Sequence, residues 1–140
     1  MSEEINKRQE EIIEDFEMFD DWTDKYEYII DLGKDLPLIE DKYKTEENLI
    51  KGCQSQVWLN AYKEDGKLKF TADSDAMITK GIISLLIKVL SDNPPQEVAQ
   101  CDLYFIDRIG LKEHLSPTRS NGLLNMVKQM KTYGLAMAHK

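Results

Sequence analysis

The chain has 140 residues, a length that suits one compact domain able to bury most of its apolar surface without metal or disulfide support. Its 26 acidic residues outnumber 18 basic ones, giving a net charge of −8, and no basic cluster offsets them, which argues against binding to a nucleic-acid backbone. There are two cysteines, Cys53 and Cys101, with no CxxC or Cys/His ligand spacing around either, so no structural zinc site is expected.

The first residues, Met-Ser-Glu-Glu-Ile, are acidic and polar where a targeting signal would be basic and then apolar. A cytoplasmic setting with reduced thiols is therefore expected. The longest apolar run, residues 82–90, is too short to span a bilayer and is broken by Ser84 and Lys88, so no membrane partner is expected.

Ile5, Ile12, Ile13, Phe16 and Phe19 recur at helical spacing between charged residues, which predicts an amphipathic packing helix near residues 3–18. Asp20 or Asp21 suits the N-cap of a second helix, with Trp22, Tyr26, Ile29 and Ile30 on one face and Gly33 as its stop. Residues 34–47 are charged and contain Leu36-Pro-Leu-Ile39, so a solvated loop with a short helical turn at most is expected. That loop leads into the stretch Asn48-Leu-Ile-Lys-Gly-Cys-Gln-Ser-Gln-Val-Trp58, where the chemistry is expected to lie.

In that stretch Gly52 permits close approach to the sulfur of Cys53 and backbone angles that other residues resist. Gln54, Ser55 and Gln56 offer neutral hydrogen-bonding groups, and no His, Lys or Arg follows within a turn to take the thiol proton. A thiol without a base suits a sulfur offered to another protein's active site better than a nucleophile that hydrolyses unaided. A lone cysteine is also commonly a small buried hydrophobe, and spacing alone leaves both readings open.

Beyond Cys53 the periodicity turns to alternation across Asp65-Gly66, a hairpin signal. A two-residue loop there sets Leu59 opposite Ala72, Ala61 opposite Phe70 and Glu64 opposite Lys67. Val57, Leu59, Ala61, Leu68, Phe70 and Ala72 then form the core face. Trp58 and Tyr62 fall on the polar face, where Trp58 calls for a covering helix. Whether residues 50–52 add a third strand stays open.

A mostly buried helix is expected to begin near Ser74 or Asp75, with Lys80, Ser84 and Lys88 as its polar stripe and Gly81 packed closely on the sheet. Asp73 and Asp75 have an ordinary reading as carboxylates at that helix's N-terminus, preferred for Asp73. Asn93-Pro-Pro95 ends it and opens a short helix through Val98. Cys101, in apolar company, reads as structural. Residues 105–109 form another turn stopped by Gly110, and His114 has no acidic or thiol companion at regular spacing, which suits a surface or capping role. Ser116-Pro117 opens a long helix with Leu123, Val127, Met130 and Met137 on one side. Arg119 lies in its first turn, where guanidinium and free amides together suit a carboxylate, thiolate or persulfide; a surface ion pair is the plainer reading.

Four separated stretches, Ile50-Lys-Gly-Cys-Gln-Ser-Gln-Val-Trp58, Asp73-Ser-Asp-Ala76, Thr79-Lys-Gly-Ile82 and Leu115-Ser-Pro-Thr-Arg-Ser-Asn-Gly-Leu123, closely resemble the SufE family of sulfur acceptors, in the family's order and across nearly the whole chain. The resemblance implies that Cys53 accepts persulfide sulfur from a cysteine desulfurase and passes it to an iron–sulfur scaffold complex. It implies no cofactor beyond a persulfide on Cys53, and a carrier or activator in preference to an enzyme acting alone. It sets Asp75 near the acceptor loop and raises Arg119 to a contributor at the acceptor site or partner interface, with Gly52, Gln54 and Ser55 in support.

The expected fold is α+β over residues 1–140, a small antiparallel sheet packed against several helices, as a monomer or weak homodimer. Cys53 is expected on a loop tucked against apolar residues at rest and extended into the partner when bound, because a reactive thiolate needs shelter from oxidants. Two other classes remain: an independent thiol enzyme, which would need a His/Asp companion or resolving Cys, and an iron–sulfur or metal scaffold, which would need several ligands.

Overall fold

Apolar periodicity and local caps set the helices. In the computed structural model, which describes residues 3–53 and 55–139, helix α1 spans Glu3–Glu17 and buries Ile5, Ile12, Ile13 and Phe16. Asp21 starts α2, Trp22–Gly33, its carboxylate accepting the Asp24 N–H at 2.9 Å. Two single turns of 3-10 helix, Asp41–Tyr43 and Glu46–Asn48, interrupt the loop that follows.

Strands β1, Val57–Glu64, and β2, Lys67–Ser74, form an antiparallel pair with Leu59 opposite Ala72, Ala61 opposite Phe70 and Glu64 opposite Lys67, the register read from the sequence. Asp65 and Gly66 both take positive φ, 55° and 78°, as a mirror-image hairpin turn requires. Val57, Leu59, Leu68, Phe70 and Ala72 are buried on the face turned to the helices.

Flanking loop segments touch both strands. Leu38 makes a single bridge to Ala72, and Leu49 one to Trp58, with the Ile50 N–H donating to the Val57 carbonyl at 2.8 Å. The third strand considered at residues 50–52 does not form; pairing stops at the isolated Leu49 bridge and the Ile50 N–H, because the chain turns away at once at Gly52. The cover over Trp58 also differs from expectation. It comes from this loop: Lys44 sets its ammonium 5.5 Å from the indole centroid.

Helix α3, Met77–Leu90, lies in the middle, packed on α1, α2, β2 and the C-terminal helix α6, Pro117–Ala138. Its Ile82, Ile83, Leu85, Leu86, Val89 and Leu90 are buried, each stabilising the fold by about 1.5–3 kcal/mol relative to exposure. Ser84, on the expected polar stripe, is buried too and donates to the Leu32 carbonyl at 2.9 Å.

Gly33 stops α2 as expected, while Gly81 behaves differently. Gly81 meets α2 instead of the sheet: a Cβ on Gly81 would overlap the Ile29 carbonyl, and one on Gly33 would lie 3.0 Å from the Gly81 nitrogen. Backbone-to-backbone contact of α2 and α3 is what they allow.

The expected carboxylate cap of α3 is also absent. Ala76 occupies the N-cap without a side-chain bond. Asp73 stays in β2 and pairs with Lys44 at 2.7 Å and Lys80 at 3.4 Å.

After α3, two short helices follow, α4 (Pro95–Gln100) and α5 (Phe105–Arg108), with Gly110 at φ +70° breaking the chain before α6. Ser116 caps α6, its hydroxyl accepting the Arg119 N–H at 3.2 Å. No described helix is long and apolar enough to cross a membrane.

Candidate functional site

Cys53 sits in a tight excursion of the chain that leaves the sheet after Ile50 and returns at Val57. Gly52 makes the turn at φ +84°, a conformation disfavoured for residues with a Cβ. It also lies so close to α6 that a Cβ there would overlap the Asn125 side-chain amide. The loop therefore rests directly on the second and third turns of α6.

There the thiol is half-buried and packs against the edge of the apolar core. Its Sγ lies 3.7 Å from the Gly122 carbonyl oxygen, a weak bond in which the thiol donates. Gly122 leaves room for this: a Cβ on it would stand 3.4 Å from Sγ. Burial pushes the Cys53 thiol above its ordinary range. A carbonyl acceptor favours the same protonated form, so the resting sulfur is a weak nucleophile.

The other side of the loop is held by the turn between β2 and α3 and by α3 itself. Gln56 donates its N–H to the Asp75 carboxylate at 3.0 Å, and the Asp75 N–H donates back to the Gln56 carbonyl at 3.3 Å. Ser55 donates its hydroxyl to that of Thr79, in the first turn of α3, at 3.0 Å. Such neutral or exposed bonds contribute about 0.5–1.5 kcal/mol net each, so the loop is fastened lightly.

Of the residues singled out from the sequence, Gly52, Cys53, Ser55 and Asp75 come together at this loop, while Gln54 lies outside the described residues. Arg119 lies one helical turn before Gly122 on the same face of α6. Its guanidinium is exposed and makes no ion pair or hydrogen bond among the described residues, so the surface ion pair is not formed. The free amides of α6 do not hold the sulfur at rest; the Arg119 N–H is taken by Ser116, and Sγ faces a carbonyl.

Gly122, Asn125 and Thr79 were not singled out beforehand. A glycine inside a helix costs about 1 kcal/mol against alanine, and that cost was the available signal for Gly122. Thr79 opened one of the four stretches that carry the resemblance but was given no role there, and nothing marked Asn125.

Neither histidine attends Cys53. His114 stacks on Trp22 with ring centroids 3.9 Å apart and its Nδ1 is 3.1 Å from the Gly110 carbonyl, while His139 follows the far end of α6, about 25 Å along the helix from Gly122. Cys101 lies beyond α4, half-buried, with Sγ 3.3 Å from the Val98 carbonyl. Among the described residues no group of three or more His, Cys, Asp or Glu side chains is gathered for a metal ion.

Residues 10–134 match the family described as "SufE: Fe-S metabolism associated domain". An uncharacterized SufE-like protein of Rhizobium etli is 42% identical over 127 residues, covering 87% of this chain and 86% of that protein. A SufE-like protein of Synechocystis is 38% identical, covering 89% of this chain and 79% of its own length. The SufE-like protein 1, chloroplastic/mitochondrial, of Arabidopsis thaliana is 39% identical over 139 residues, 99% of this chain but 38% of the plant protein. The fold matches the solution structure of a hypothetical protein from Thermus thermophilus with a TM-score of 0.79, 18% identity, and coverage of 95% and 97% of the two chains.

Proposed function

The chain belongs to the SufE family of Fe–S metabolism associated domains, and from that membership we propose that Cys53 accepts persulfide sulfur from a cysteine desulfurase and delivers it to iron–sulfur cluster assembly. The observation that carries this reading is the seat of the thiol: half-buried, without a base, beside the Gly122 carbonyl, on a lightly fastened loop.

In the proposed step the Cys53 thiolate attacks the terminal sulfur of a persulfide on the donor's cysteine. The bond from Cys53 Sγ to that sulfur forms, the donor's S–S bond breaks, and the donor leaves as a thiolate that takes up a proton. No external oxidant or reductant is consumed. Because burial disfavours the Cys53 thiolate, the partner must draw the loop away from Gly122 and supply the setting in which the proton leaves. The unpaired Arg119 guanidinium, one turn away, is placed to hold the anionic sulfur or a partner carboxylate once the loop has moved. Delivery to the scaffold repeats the exchange with Cys53 as donor. We assign the reaction to a reducing compartment such as the cytoplasm, because the Cys53 thiol must stay free to accept sulfur.

The test is intact-protein mass after incubation with a cysteine desulfurase and free cysteine. A reducible gain of one sulfur that persists in Cys101→Ser and is lost in Cys53→Ser is the expected result. No gain with several desulfurases would overturn the acceptor role.

A further inference from the structure

Helix α6 presents two unlike faces. Gly122 and Asn125 carry the Cys53 loop. Leu124, Lys128, Lys131 and Leu135 follow one another at i, i+4, i+7 and i+11, which places them roughly 180–240° around the helix from Gly122. With α4 this second face walls a mostly apolar furrow of about 640 Å³, whose walls also include Ala99 and Val127. Gly134 sets its depth, because α4 approaches so closely there that a Cβ would lie 2.8 Å from the Pro95 carbonyl oxygen.

Leu124 and Leu135 are 46% and 58% exposed. The other exposed large apolar side chains among the described residues, Met18, Leu38, Tyr43, Tyr62 and Met77, are scattered singly over different elements and loops. Leu124 and Leu135 instead share one furrow with Ala99 and Val127, and an apolar furrow open to water marks an interaction surface more often than scattered residues do. Charge then says what fits it. No described Asp or Glu lines the furrow, in a chain where 26 of 140 residues are acidic. Lys128 and Lys131 lie between the two leucines and form no ion pair among the described residues.

We propose that the furrow is a docking groove for an amphipathic helix of a partner protein, one whose apolar stripe is edged by Asp and Glu. The span from Leu124 to Leu135, about 16 Å, matches three helical turns, so a ligand helix with apolar residues at i, i+4, i+7, i+11 spacing can pack them against Leu124, Val127, Leu135 and Ala99 while its acidic edges meet Lys128 and Lys131. A second copy of this chain fits less well: each copy carries −8, and no described element offers an exposed apolar stripe edged by acids. Because the groove faces away from the Cys53 loop, it stays open while the loop is engaged, so one chain bridges two proteins. This inference does not depend on the sulfur-transfer reading.

The experiment titrates the full-length ¹⁵N-labelled chain with a synthetic amphipathic helical peptide carrying Leu at this spacing and Glu on both edges, and with its Lys-edged counterpart. The Glu-edged peptide is expected to saturate, shifting resonances in α4 and residues 124–135, and to bind at least 10-fold more tightly than the Lys-edged one. The double change Lys128→Glu and Lys131→Glu, at one exposed and one half-buried position, should reverse that preference while leaving the circular dichroism spectrum in place. Equal binding of both peptides, shifts centred elsewhere, or no saturation at millimolar peptide overturns the proposal. So does a dimer in sedimentation equilibrium that Leu135→Glu abolishes, which would give the groove to a second copy.

Discussion

The backbone of Gln56 and residue Asp75 hold each other in both directions: the Gln56 N–H donates to the Asp75 carboxylate at 3.0 Å, and the Asp75 N–H returns a bond to the Gln56 carbonyl at 3.3 Å. Only the first depends on the side chain. Asp75→Ala therefore removes one charge-assisted bond at an exposed site, about 1 kcal/mol, or about 5-fold in the loop-opening equilibrium. Cys53 should react with iodoacetamide about 5-fold faster in the variant at equal pH, with little change in the unfolding midpoint. An unchanged rate would mean that the latch does not restrain the thiol.

A double-mutant cycle probes the other end of the loop. Gly52→Ala forces an alanine into φ +84°, at a cost of about 1–2 kcal/mol, and adds a steric overlap with the Asn125 amide. Asn125→Ala removes the overlap but leaves the backbone strain. The pair should show a coupling of more than about 0.5 kcal/mol in loop-opening or unfolding measurements. Strict additivity would show that Gly52 and Asn125 do not touch in solution.

Burial raises the Cys53 pKa, and the consequence for pH has a definite sign. The stabilisation associated with keeping this thiol neutral is present in full below its unfolded pKa and is lost as pH rises through the higher folded value. Alkylation of Cys53 in native protein should therefore rise with an inflection above 9, the ordinary thiol value here, and return toward it in concentrated urea. A native inflection at or below 9 would contradict a resting thiol shielded by burial.

The hairpin was legible in full, because apolar alternation and Asp65-Gly66 impose the same register from two independent directions. The cap at Ser116 was equally readable, and that of α2 was narrowed to Asp20 or Asp21, the structure giving it to Asp21; each capping side chain bonds an amide three residues on. Asp73 was not: a carboxylate near a helix start has two plausible employers, and only the three-dimensional positions of Lys44 and Lys80 decide between them. The cover over Trp58 and the partner of Gly81 were hidden for the same reason, being contacts between distant segments. At the site, Cys53 stood out by residue type, while its seat on Gly122 and Asn125 depends on how α6 crosses the loop.

Three helical glycines separate packing from site effects. Gly81→Ala would drive a Cβ into the Ile29 backbone, which has no rotamer to escape through, and should destabilise the protein by about 3 kcal/mol or more. Gly33→Ala meets the Gly81 nitrogen at 3.0 Å and should cost less. Gly122→Ala meets only Cys53, its sulfur at 3.4 Å and its Cα at 3.6 Å, both within ordinary contact, so the helix propensity gain of about 1 kcal/mol should raise its melting temperature. Thermal unfolding of the three variants checks the order; a stable Gly81→Ala would contradict the contact of α2 with α3.

The Asp73 cluster carries the acid response of the loop's foundation. Burial alone would raise the Asp73 pKa, but the Lys44 ammonium, the Ser74 N–H and the charge of Lys80 together bring it below its ordinary 3.8. A depressed carboxylate contributes stability that is present above the unfolded value and disappears as pH falls through the folded one. Lys44 also sits over Trp58, so protonating Asp73 releases the cation from its anchor and alters the surroundings of the indole. In a Trp22→Phe background, which leaves Trp58 as the one tryptophan, the emission should change with a midpoint below 3.8, and Asp73→Asn should abolish that step. Emission that stays flat through this range while the fold persists would show that Lys44 does not couple Asp73 to the strand that leads out of the Cys53 loop.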